Sequence, residues 1–582
     1  MQVEDLRSLG AGATLDADLV IVGGGPAGLT IAREFFGTST RILILESGLL
    51  QEDPRITDLN TVESIGEPKG AARVRSRIKW HGSRSWSAES QGYGVRCRVL
   101  GGSSHAWGGK SAPFDQIDFA ARDWVPYSGW PFGLETLYPY LDRAADVLDL
   151  GPGCYDDRLW ELMGLTPHHP QLDASLLRSF FWQFARSRID AVDFMRFGPE
   201  FLTFDAPNVR VLLNATVTRI DTNEAGSAFE SLEVSTICGV RSRVRAKGAV
   251  LAASAIENPR LLLVSNGIQR SGLGNQNDLV GRFLMDHPRA KIGHFKAEDC
   301  PAVVKRFGFY SLKQRGRAHI YMHGLVPSKD IQERERLLNC AVFMMQEHAA
   351  DDPWDALKRL LRAKSDRPIS DLRAVASGPG LIAMGVGMRL FESDALPSRV
   401  KDFVINNVMK QFPNFVVREF TQGHGLPHKL TALAIEGITE QRPDPESRIT
   451  LSDKTDALGV PIARVNWLND DEALRSLARL GQILEGEFRR VGLPAPQLED
   501  WVLEQRLEDC VLIDSAHTAG TTRMSDDPRS GVVDSNCQVH GVAGLYVAGG
   551  SVFPTCGHAN ITLMILALAV RLADRLKVDL AG

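Results

Sequence analysis

A glycine-rich turn directly after the first apolar segment is the feature that most restricts how this chain folds. The segment reads VIVGGGPAGL over residues 20–29, so Gly23, Gly25 and Gly28 satisfy the pattern G-x-G-x-x-G. In such a turn the first glycine allows a tight change of direction, and the second lets the backbone approach a pyrophosphate. The third lets the following helix pack closely on the preceding strand, with its N-terminus turned toward the phosphates. The pattern therefore predicts a dinucleotide-binding unit at the start of the chain.

The residues on both sides of the turn have the order of a βαβ unit. Residues 18–22 predict a buried parallel strand, residues 27–36 the helix, and residues 41–45 a second strand. Glu46 follows that strand, eighteen residues after Gly28, where an acid would hydrogen-bond the ribose of an adenosine. Strand, helix and acid in this order make the prediction much more specific than the glycines alone.

Further apolar segments predict that the same sheet is completed from distant parts of the chain. They comprise residues 209–213, 215–220, 249–253 and 544–548, and a final helix is predicted over residues 562–580. The residues between these pieces would form a second, discontinuous domain. The predicted fold class is therefore α/β, with a Rossmann-type domain beside a second domain of α+β type.

Two long motifs near the C-terminus contain the candidate catalytic pair. DSAHTAGTTRM, residues 514–524, includes His517, and GLYVAGGSVFPTCGHANITLMILALA, residues 544–569, includes Asn560 forty-three residues later. A histidine titrates close to neutral pH, so it can accept a hydroxyl proton without a large perturbation of its pKa. An asparagine amide does not titrate there, and it can hold an oxygen by hydrogen bonding.

Together with the glycine turn, these motifs resemble the glucose-methanol-choline (GMC) family of FAD-dependent oxidoreductases. VLGGSSHAWGGKSAP (residues 99–113), SAIENPRLLLVSNG (254–267), GRFLMDHP (281–288) and EQRPDPESRITLSD (440–453) extend the resemblance over nearly the whole chain. It is strongest toward the sugar and polyol dehydrogenases and the pyranose oxidase-like branch of the family. The resemblance implies FAD as the cofactor and an alcohol as the substrate.

In this family a histidine and an asparagine or histidine face the reactive edge of FAD, and the flavin N5 takes the hydride. The resemblance therefore makes His517 the base and Asn560 the residue that orients the substrate oxygen. Ile561 and Thr562 open the final helix, and the resemblance places their backbone N–H groups at the flavin pyrimidine carbonyl. The helix dipole would then stabilise reduced flavin by about 1 kcal/mol.

The resemblance also indicates the residues that hold FAD and the domain boundaries. The cofactor residues are Gly23, Gly25, Pro26, Ala27, Gly28, Glu46, Gly101, Gly102, Ser103, Trp107, Val217, Gly549, Gly550, Ile561 and Thr562. The predicted FAD-binding domain comprises residues 16–140, 205–290 and 505–582, and the predicted substrate-binding domain comprises residues 141–204 and 291–504, built on a β-sheet.

The residue that carries covalently attached FAD in some members of the family is missing here. In those proteins a histidine stands immediately before the tryptophan of the loop or its equivalent. In this chain Ala106 precedes Trp107, and His105 lies one position earlier. A shift by one residue points the ring elsewhere, so we expect non-covalent FAD.

Three other residues near the motifs have a functional and a structural interpretation. His558 could contact the substrate, or it could be a loop histidine that is hydrogen-bonded within the protein. For His287, in MDHP, the structural interpretation is favoured. Cys556 is expected to serve packing, because no covalent thiol chemistry is required.

Charge and composition exclude several classes of protein. The net charge of −5 argues against a nucleic-acid partner, since phosphate binding needs a basic surface. The N-terminus has no pattern of a signal peptide, and the longest apolar run, residues 563–570, is too short to span a bilayer. The eight cysteines are scattered without CxxC or zinc-like spacing. We therefore predict no metal site and expect reduced thiols in the cytoplasm.

A helical insertion is predicted at about residues 351–411. Residues 354–364 and 398–411 predict amphipathic helices on either side of a glycine-bearing apolar stretch. They are either surface helices packed on the substrate-binding domain, or a lid or docking face for a partner or a membrane.

The substrate and the electron acceptor stay open at this point. The branch of the family favours sugars, glycosides, polyols or sugar-bearing natural products, oxidised to a ketone or aldehyde, with aryl or other non-sugar alcohols as the alternative. A hydroxynitrile lyase on the same fold is a rival, and so is a flavoprotein that only carries electrons, although a carrier needs no base. The acceptor would be O₂, a quinone or a cytochrome. The stretch of residues 50–99, predicted to be irregular, could supply a contact in an oligomer.

Overall fold

The fold is taken from a computed structural model, which describes most of the 582 residues. The described residues are 1–10, 12–65, 91, 93–166, 172–190, 193–349, 351–361, 365, 367–392, 396–411 and 429–581.

A parallel sheet of six described strands forms the first layer of the fold. Its order is β1-β8-β4-β3-β12-β21, and every pair of neighbours in it is parallel. Two central strands read LVIV and ILIL, and all their residues are buried, as expected for a parallel sheet covered on both faces. The six strands are β1 (Gln2–Asp5), β3 (Leu19–Val22), β4 (Ile42–Leu45), β8 (Val209–Leu213), β12 (Gly248–Leu251) and β21 (Leu545–Val547).

This sheet confirms the predicted Rossmann-type α/β fold and adds one strand to it. The strand β1 lies before residue 16, where the predicted FAD-binding domain begins. Its sequence QVED has no apolar run, so its partner β8 and not its own pattern makes it a strand. The segment predicted at residues 215–220 is β9 (Thr216–Thr222), which belongs to another sheet.

Helices cover the parallel sheet. The helix α1 (Pro26–Arg33) starts at the glycine turn, and the C-terminal helix α16 (Thr562–Ala581) packs on it and on α4 (Tyr138–Leu148). The helix α7 (Ser254–Val264) follows β12. Burial of the apolar faces of these helices joins them to the sheet in one large core.

An antiparallel sheet forms the second large layer. Its order is β20-β13-β17-β16-β15-β7-β6, with β14 paired to β15. The strands are β6 (Lys110–Ser111), β7 (Leu177–Phe184), β13 (Arg289–Lys296), β14 (Phe309–Gln314), β15 (Arg317–Pro327), β16 (Cys340–His348), β17 (Leu430–Thr439) and β20 (Gln497–Leu498). The strand β6 lies within the predicted FAD-binding segment, yet it belongs to the antiparallel sheet. The division into two domains therefore stays a prediction.

The two faces of the antiparallel sheet have different neighbours. Val342 and Met344 of β16 belong to a core that includes the long helix α14 (Asp471–Arg490). Phe343 and Met345 alternate with them and line a large cavity on the other face. The alternation of one strand thus makes this sheet a wall of the cavity.

Two smaller sheets complete the described strands. The first has the order β2-β11-β10-β9 and the second has the order β18-β19-β5. Their strands not yet located are β2 (Thr14–Asp16), β5 (Val62–Ser64), β10 (Phe229–Ser235), β11 (Arg241–Arg245), β18 (Arg448–Thr455) and β19 (Pro461–Asn466).

The remaining helices are mostly short. The α-helices are α2 (Pro54–Thr57), α3 (Gln116–Phe119), α5 (Arg158–Leu162), α6 (Phe197–Phe201), α8 (Cys300–Phe307), α9 (Lys329–Glu335), α10 (Pro353–Leu361), α11 (Pro368–Ser377), α12 (Pro379–Glu392), α13 (Ser398–Gln411) and α15 (Asp500–Leu503). The 3₁₀ turns are Leu6–Ser8, Asp58–Asn60, Gly102–His105, Leu134–Leu137, Leu507–Asp509 and Gly550–Val552.

Two predictions about irregular or inserted chain are refined. The stretch of residues 50–99 is not wholly irregular, because α2 and β5 lie in it; residues 66–90 and 92 lie outside the described residues. The insertion is helical, and the glycine-bearing stretch in it is the helix α12. The helix α13 contacts β14 and β15, which favours packing on the sheet over a free lid.

A buried ion pair connects the polar segment at Arg122 to the end of the antiparallel sheet. The guanidinium of Arg122 donates to both carboxylate oxygens of Glu440, at 2.5 and 2.8 Å, and both side chains are almost fully buried. Removal of either partner would leave the other charge buried and uncompensated, which would destabilise the fold.

Among the described helices, none combines the length and the apolar character that a membrane crossing requires. All eight cysteines are free.

Candidate active site

One cavity of about 950 Å³ contains most of the residues predicted to bind cofactor and substrate. It begins at the carboxyl ends of β3 and β4, at Val22 and Leu45, and extends to the start of α16 and to the antiparallel sheet. Ligands of open parallel sheets bind at this edge. Of the predicted cofactor residues, Gly28 and Gly101 do not line the cavity; the others do.

The glycines of the turn have different physical roles. A Cβ on Gly28 would lie 2.1 Å from the carbonyl oxygen of Gly23, and one on Gly23, whose φ is +108°, would lie 2.6 Å from the oxygen of Ala252. Both glycines are thus required by the protein itself. Gly25 lines the cavity, and no atom lies within 4 Å of a Cβ built on it. The space in front of Gly25 is therefore the place where a phosphate can reach the backbone.

Glu46 lies buried at the wall of the cavity beside the turn. One carboxylate oxygen accepts the N–H of Gly24 at 2.8 Å, and the other accepts the N–H of Gly48 at 2.7 Å. Burial raises the pKa of Glu46, against the effect of these two hydrogen bonds. The N–H bonds fix the orientation of the carboxyl group, which lines the cavity, and its contact with a ribose stays a prediction.

An arginine cluster at the same end of the cavity was not predicted from the sequence. Arg96, Arg98 and Arg260 surround Glu257, with N–O distances of 2.7, 3.3 and 3.0 Å. Arg98 also donates to the hydroxyl of Ser47 at 3.0 Å, directly beside the acid of the βαβ unit. Arg260 also pairs with Asp456 at 2.6 Å, so three guanidinium groups and two acids leave one net positive charge at the wall, which suits an anionic dinucleotide.

The loop at residues 99–113 covers the cavity between the two layers. Gly102, Ser103 and Trp107 line it, and the indole N–H of Trp107 donates to the carbonyl of Met195 at 2.7 Å. His105 does not line the cavity; its Nε2 lies 3.0 Å from the carbonyl oxygen of Leu100. The position that would carry a covalent link holds Ala106, which lines the cavity.

The start of α16 lines the same cavity near His517. Gly549 and Gly550 lie in the preceding turn, and Asn560, Ile561 and Thr562 line the cavity where the helix begins. The first N–H groups of a helix have no intrahelical acceptor, so this end offers donors and a positive dipole end to a ligand.

These features fit a flavin dinucleotide. The cavity is lined by Gly25, with open space in front of it, by a buried acid and an arginine cluster, and by the start of α16. The residues that would hold FAD are therefore those of the glycine turn, Glu46, the 99–113 loop, Val217 and the turn before α16.

His517 and Asn560 are in contact at the far end of the cavity. The amide nitrogen of Asn560 lies 3.2 Å from Nε2 of His517, and Nδ1 of His517 lies 3.0 Å from Nδ1 of His287. His287 in turn places its Nε2 3.0 Å from the carbonyl oxygen of Cys556. The carbonyl can only accept, so His287 must carry its proton on Nε2.

This chain of hydrogen bonds fixes the tautomer of His517. Burial lowers the pKa of His287 to about 4, so that ring is neutral and its Nδ1 accepts. His517 must then donate from Nδ1, which leaves Nε2 with a free lone pair directed toward Asn560. Burial, followed by the electrostatic effects of His287 and Lys110, also lowers the pKa of His517 well below its usual range. His517 is thus a neutral base at pH 7, oriented by a neighbour.

A buried carboxyl group holds the backbone of the same loop. Asp286 accepts the backbone N–H of His517, at 3.0 Å and 3.1 Å from its two oxygens, that of Ser515 at 3.0 Å and that of His287 at 2.6 Å. Tyr93 donates its hydroxyl to Asp286 at 3.2 Å. Burial and the neighbouring Asp514 raise the pKa of Asp286. The MDHP motif therefore anchors the loop that carries His517 from outside that loop.

His558 fits neither of its two interpretations. It does not line the cavity, and within the described residues neither ring nitrogen has a hydrogen-bond partner. The ring is fully buried between Phe180 and Trp182, 3.9 Å from a carboxylate oxygen of Asp115, and burial lowers its pKa to about 3. His558 is a neutral packing residue in this structure.

The sequence analysis missed two kinds of functional residue. His287 was expected to be structural, yet it touches the predicted base. Lys110 stands within the 99–113 motif and Arg289 directly follows MDHP, and both line the cavity near His517. The motifs marked these segments, but only the tertiary structure shows which of their side chains enter the cavity.

A family model described as GMC oxidoreductase matches residues 443–569. Similar curated proteins include paromamine 6'-oxidase of Streptomyces fradiae, 24% identical over 97% of this chain and 92% of that protein. The 2-methyl-1,2-propanediol dehydrogenase of Mycolicibacterium austroafricanum is 24% identical over 96% of this chain and 94% of that protein. A C-glycoside 3-oxidase of Microbacterium trichothecenolyticum is 34% identical, over 23% of this chain and 26% of that protein.

Solved structures share the whole architecture. A fungal aryl-alcohol oxidase matches with a TM-score of 0.54 at 15% identity, covering 97% of this chain and 100% of that one. The pyridoxine 4-oxidase from Mesorbium loti matches with a TM-score of 0.53 at 18% identity, covering 97% and 99%. At such identities the likeness establishes the fold alone. With the matched family model, the fold and the site define a flavin-dependent oxidoreductase. Over residues 443–569 the chain is similar to the GMC oxidoreductases, and over nearly its whole length it is similar to oxidases and dehydrogenases that act on alcohols.

Two alanine variants of the glycine turn separate its two roles. Gly25→Ala adds a methyl group only to the open space of the cavity, at φ −85° and ψ −176°, which any residue adopts. We expect it to keep the stability of the cofactor-free fold and to lower FAD affinity by about tenfold or more. Gly28→Ala meets the backbone at 2.1 Å and should lower the free energy of unfolding by about 1–3 kcal/mol or more. FAD titration and thermal unfolding measure the two effects, and full FAD binding by Gly25→Ala would show that no phosphate passes there.

His287 should act as a positioning residue for His517. In His287→Leu the acceptor for the His517 Nδ1 proton is lost, so the ring can adopt the wrong tautomer; we expect the rate of flavin reduction to fall by roughly 10–10²-fold. His287→Asn, whose amide oxygen can replace Nδ1, should recover most of that rate. Stopped-flow reduction gives the rate and the substrate dissociation constant separately. Equal losses in both variants would reduce His287 to a packing residue.

Proposed function

We propose that this protein acts as a GMC oxidoreductase, which removes two hydrogens from a CH–OH group and forms a ketone or aldehyde, with His517 as the base. One observation carries the proposal: the lone pair of Nε2 on a neutral, buried His517 points to the amide of Asn560 inside the cavity. A base that is uncharged at neutral pH and is held by its neighbours is what proton removal from an alcohol requires.

The geometry supports one position for the reacting hydroxyl. The atoms Nε2 of His517 and Nδ2 of Asn560 are 3.2 Å apart, so no oxygen fits between them. The substrate oxygen therefore takes the third corner of a triangle, where it donates its proton to His517 and accepts the N–H of Asn560. Asn560 Oδ1, buried and without a partner among the described residues, can accept from a second substrate donor. When bound, FAD supplies the acceptor for the hydride of the same carbon.

The proton that His517 accepts makes it a cation, and its neighbours decide how well that cation is tolerated. Nδ1–H already donates to His287, so the charge is partly spread over a hydrogen bond that exists before the reaction. The N–H groups at the start of α16 face the cavity and would stabilise negative charge on a ligand there. The positive charge on His517 would thus be stabilised by His287, and negative charge on a bound ligand would be stabilised by the start of α16.

Several finer assignments belong to the same proposal. The proposed cofactor residues are those of the glycine turn, Glu46, the 99–113 loop, Val217, and the turn and helix start at residues 549–562. The names of the similar proteins support an alcohol within the sugar, glycoside and polyol classes, and an aryl alcohol is the second candidate because aromatic side chains line the cavity. O₂, a quinone or a cytochrome would accept the electrons, and the protein would act in the cytoplasm.

FAD is proposed to be bound without a covalent link. His105 is turned away to the carbonyl of Leu100, and Ala106 faces the cavity in its place. After acid precipitation we expect the yellow colour in the supernatant, and colour retained in the washed pellet would contradict this proposal.

Anaerobic mixing with a panel of sugars, glycosides, polyols and aryl alcohols tests the reaction itself. At least one of these alcohols should bleach the visible flavin absorbance, and the speed of recolouring in air separates an oxidase from a dehydrogenase. His517→Ala should retain FAD and lose nearly all bleaching, whereas Asn560→Ala should lose about 10²-fold because it only orients the oxygen. Near-normal reduction in His517→Ala would refute the base. Absence of bleaching by every alcohol would favour a lyase, which binds FAD without using its redox chemistry.

A further inference from the structure

An unpaired lysine enters the cavity beside the catalytic pair. Lys110 lies in β6, opposite Phe184 of β7, and its side chain lines the cavity. Its Nζ lies 3.9 Å from the ring centroid of Trp182 and 3.7 Å from that of Phe343. The two rings hold the ammonium in place by cation–π contact.

No acid of the described chain neutralises this lysine. Among the ion pairs of the described residues, with a limit of 4.0 Å, none includes Lys110. Arg289 also lines the cavity, and its own partner is Glu436 at 3.1 Å. Burial lowers the pKa of Lys110 well below its usual range, which expresses the cost of holding the charge there. Ionisable groups with strongly shifted pKa values cluster at functional sites, so we expect a ligand to supply the missing negative charge.

The wall around Lys110 is apolar. It consists of side chains of the antiparallel sheet, which are Phe184, Phe309, Met322, Phe343, Met345 and Ile438. A substrate rich in hydroxyls would bury donors and acceptors against this wall without partners, at about 1–3 kcal/mol for each. A substrate with an apolar body and one charged group would avoid this cost. The combination of an unpaired cation and an aromatic wall therefore selects among the alcohols of the proposed function.

We propose that Lys110, supported by Arg289, binds a carboxylate of the substrate, so that the alcohol oxidised here is an acid with an apolar, preferably aromatic, body. The inference rests on the proposed function and deepens it. Lys110 and Phe343 contact one part of the substrate, while His517 and Asn560 hold the hydroxyl. Aryl alcohols that carry a carboxylate, and glycosides whose aglycone carries one, satisfy both requirements.

Matched pairs of alcohols test this inference. We would compare 4-(hydroxymethyl)benzoate with 4-(hydroxymethyl)benzamide, and 4-carboxyphenyl glucoside with 4-carbamoylphenyl glucoside, because each pair differs in charge at nearly equal shape. For whichever pair is oxidised, kcat/KM should favour the carboxylate by about tenfold or more. Lys110→Met should bring that ratio close to one, and Lys110→Arg should keep most of it.

Lys291→Met is the matched control. Lys291 lies in β13, pairs with Glu347 at 2.7 Å and does not line the cavity, so its loss should leave the ratio unchanged. A second readout needs no turnover. Benzoate should raise the melting temperature of the holoenzyme, benzamide should not, and Lys110→Met should abolish the difference.

The outcomes separate this inference from the proposed function. Equal kcat/KM for acid and amide in the natural protein, or an unchanged preference in Lys110→Met, would overturn the role of Lys110 and leave alcohol oxidation intact. If no alcohol bleaches the flavin while benzoate still stabilises the protein through Lys110, the carboxylate site stands and the proposed reaction fails.

Discussion

The site depends on one hydrogen-bond relay that begins at a backbone carbonyl. The oxygen of Cys556 can only accept, so it fixes the proton of His287, and this neutral ring in turn fixes the proton of His517. Three distant segments must meet within hydrogen-bonding distance for this to hold. Asp286 secures that meeting by accepting backbone N–H groups from both sides of the gap. A base in the wrong tautomer would present N–H to an alcohol, so the geometry of the loops is a condition of the chemistry.

The two layers divide the task of binding. The parallel sheet presents its carboxyl edge, with an open space at Gly25 and the buried acid Glu46, to a long anionic ligand. The antiparallel sheet contributes an apolar wall together with Lys110 and Arg289. Because β6 crosses from the first layer into the second, the loop that covers the cofactor space continues directly into the substrate wall at Lys110. Cofactor and substrate recognition are therefore coupled through a single short segment.

Burial explains the protonation states on which these functions depend. The cavity wall removes water from His517, His287 and Lys110, and each loss of solvent disfavours the charged form. For the histidines this keeps the bases neutral. For Lys110 it creates an unfavourable state that an anion would relieve. The same low polarity thus keeps His517 ready to accept a proton and makes the charged form of Lys110 dependent on a bound anion.

The sequence by itself determined the βαβ unit, and it predicted the cofactor and the pair His517 and Asn560, because the glycine turn and each of these two residues stand inside a short motif. Glycines that a turn requires and an acid at the end of a strand leave a local pattern. It could not determine the edge strand Gln2–Asp5, which exists only because β8 offers hydrogen bonds to it. Nor could it assign His287 or Lys110, whose roles come from partners about 230 and 70 to 230 positions away in the chain. Contacts at such separations are decided by how the sheets pack, and no local pattern of residues records them.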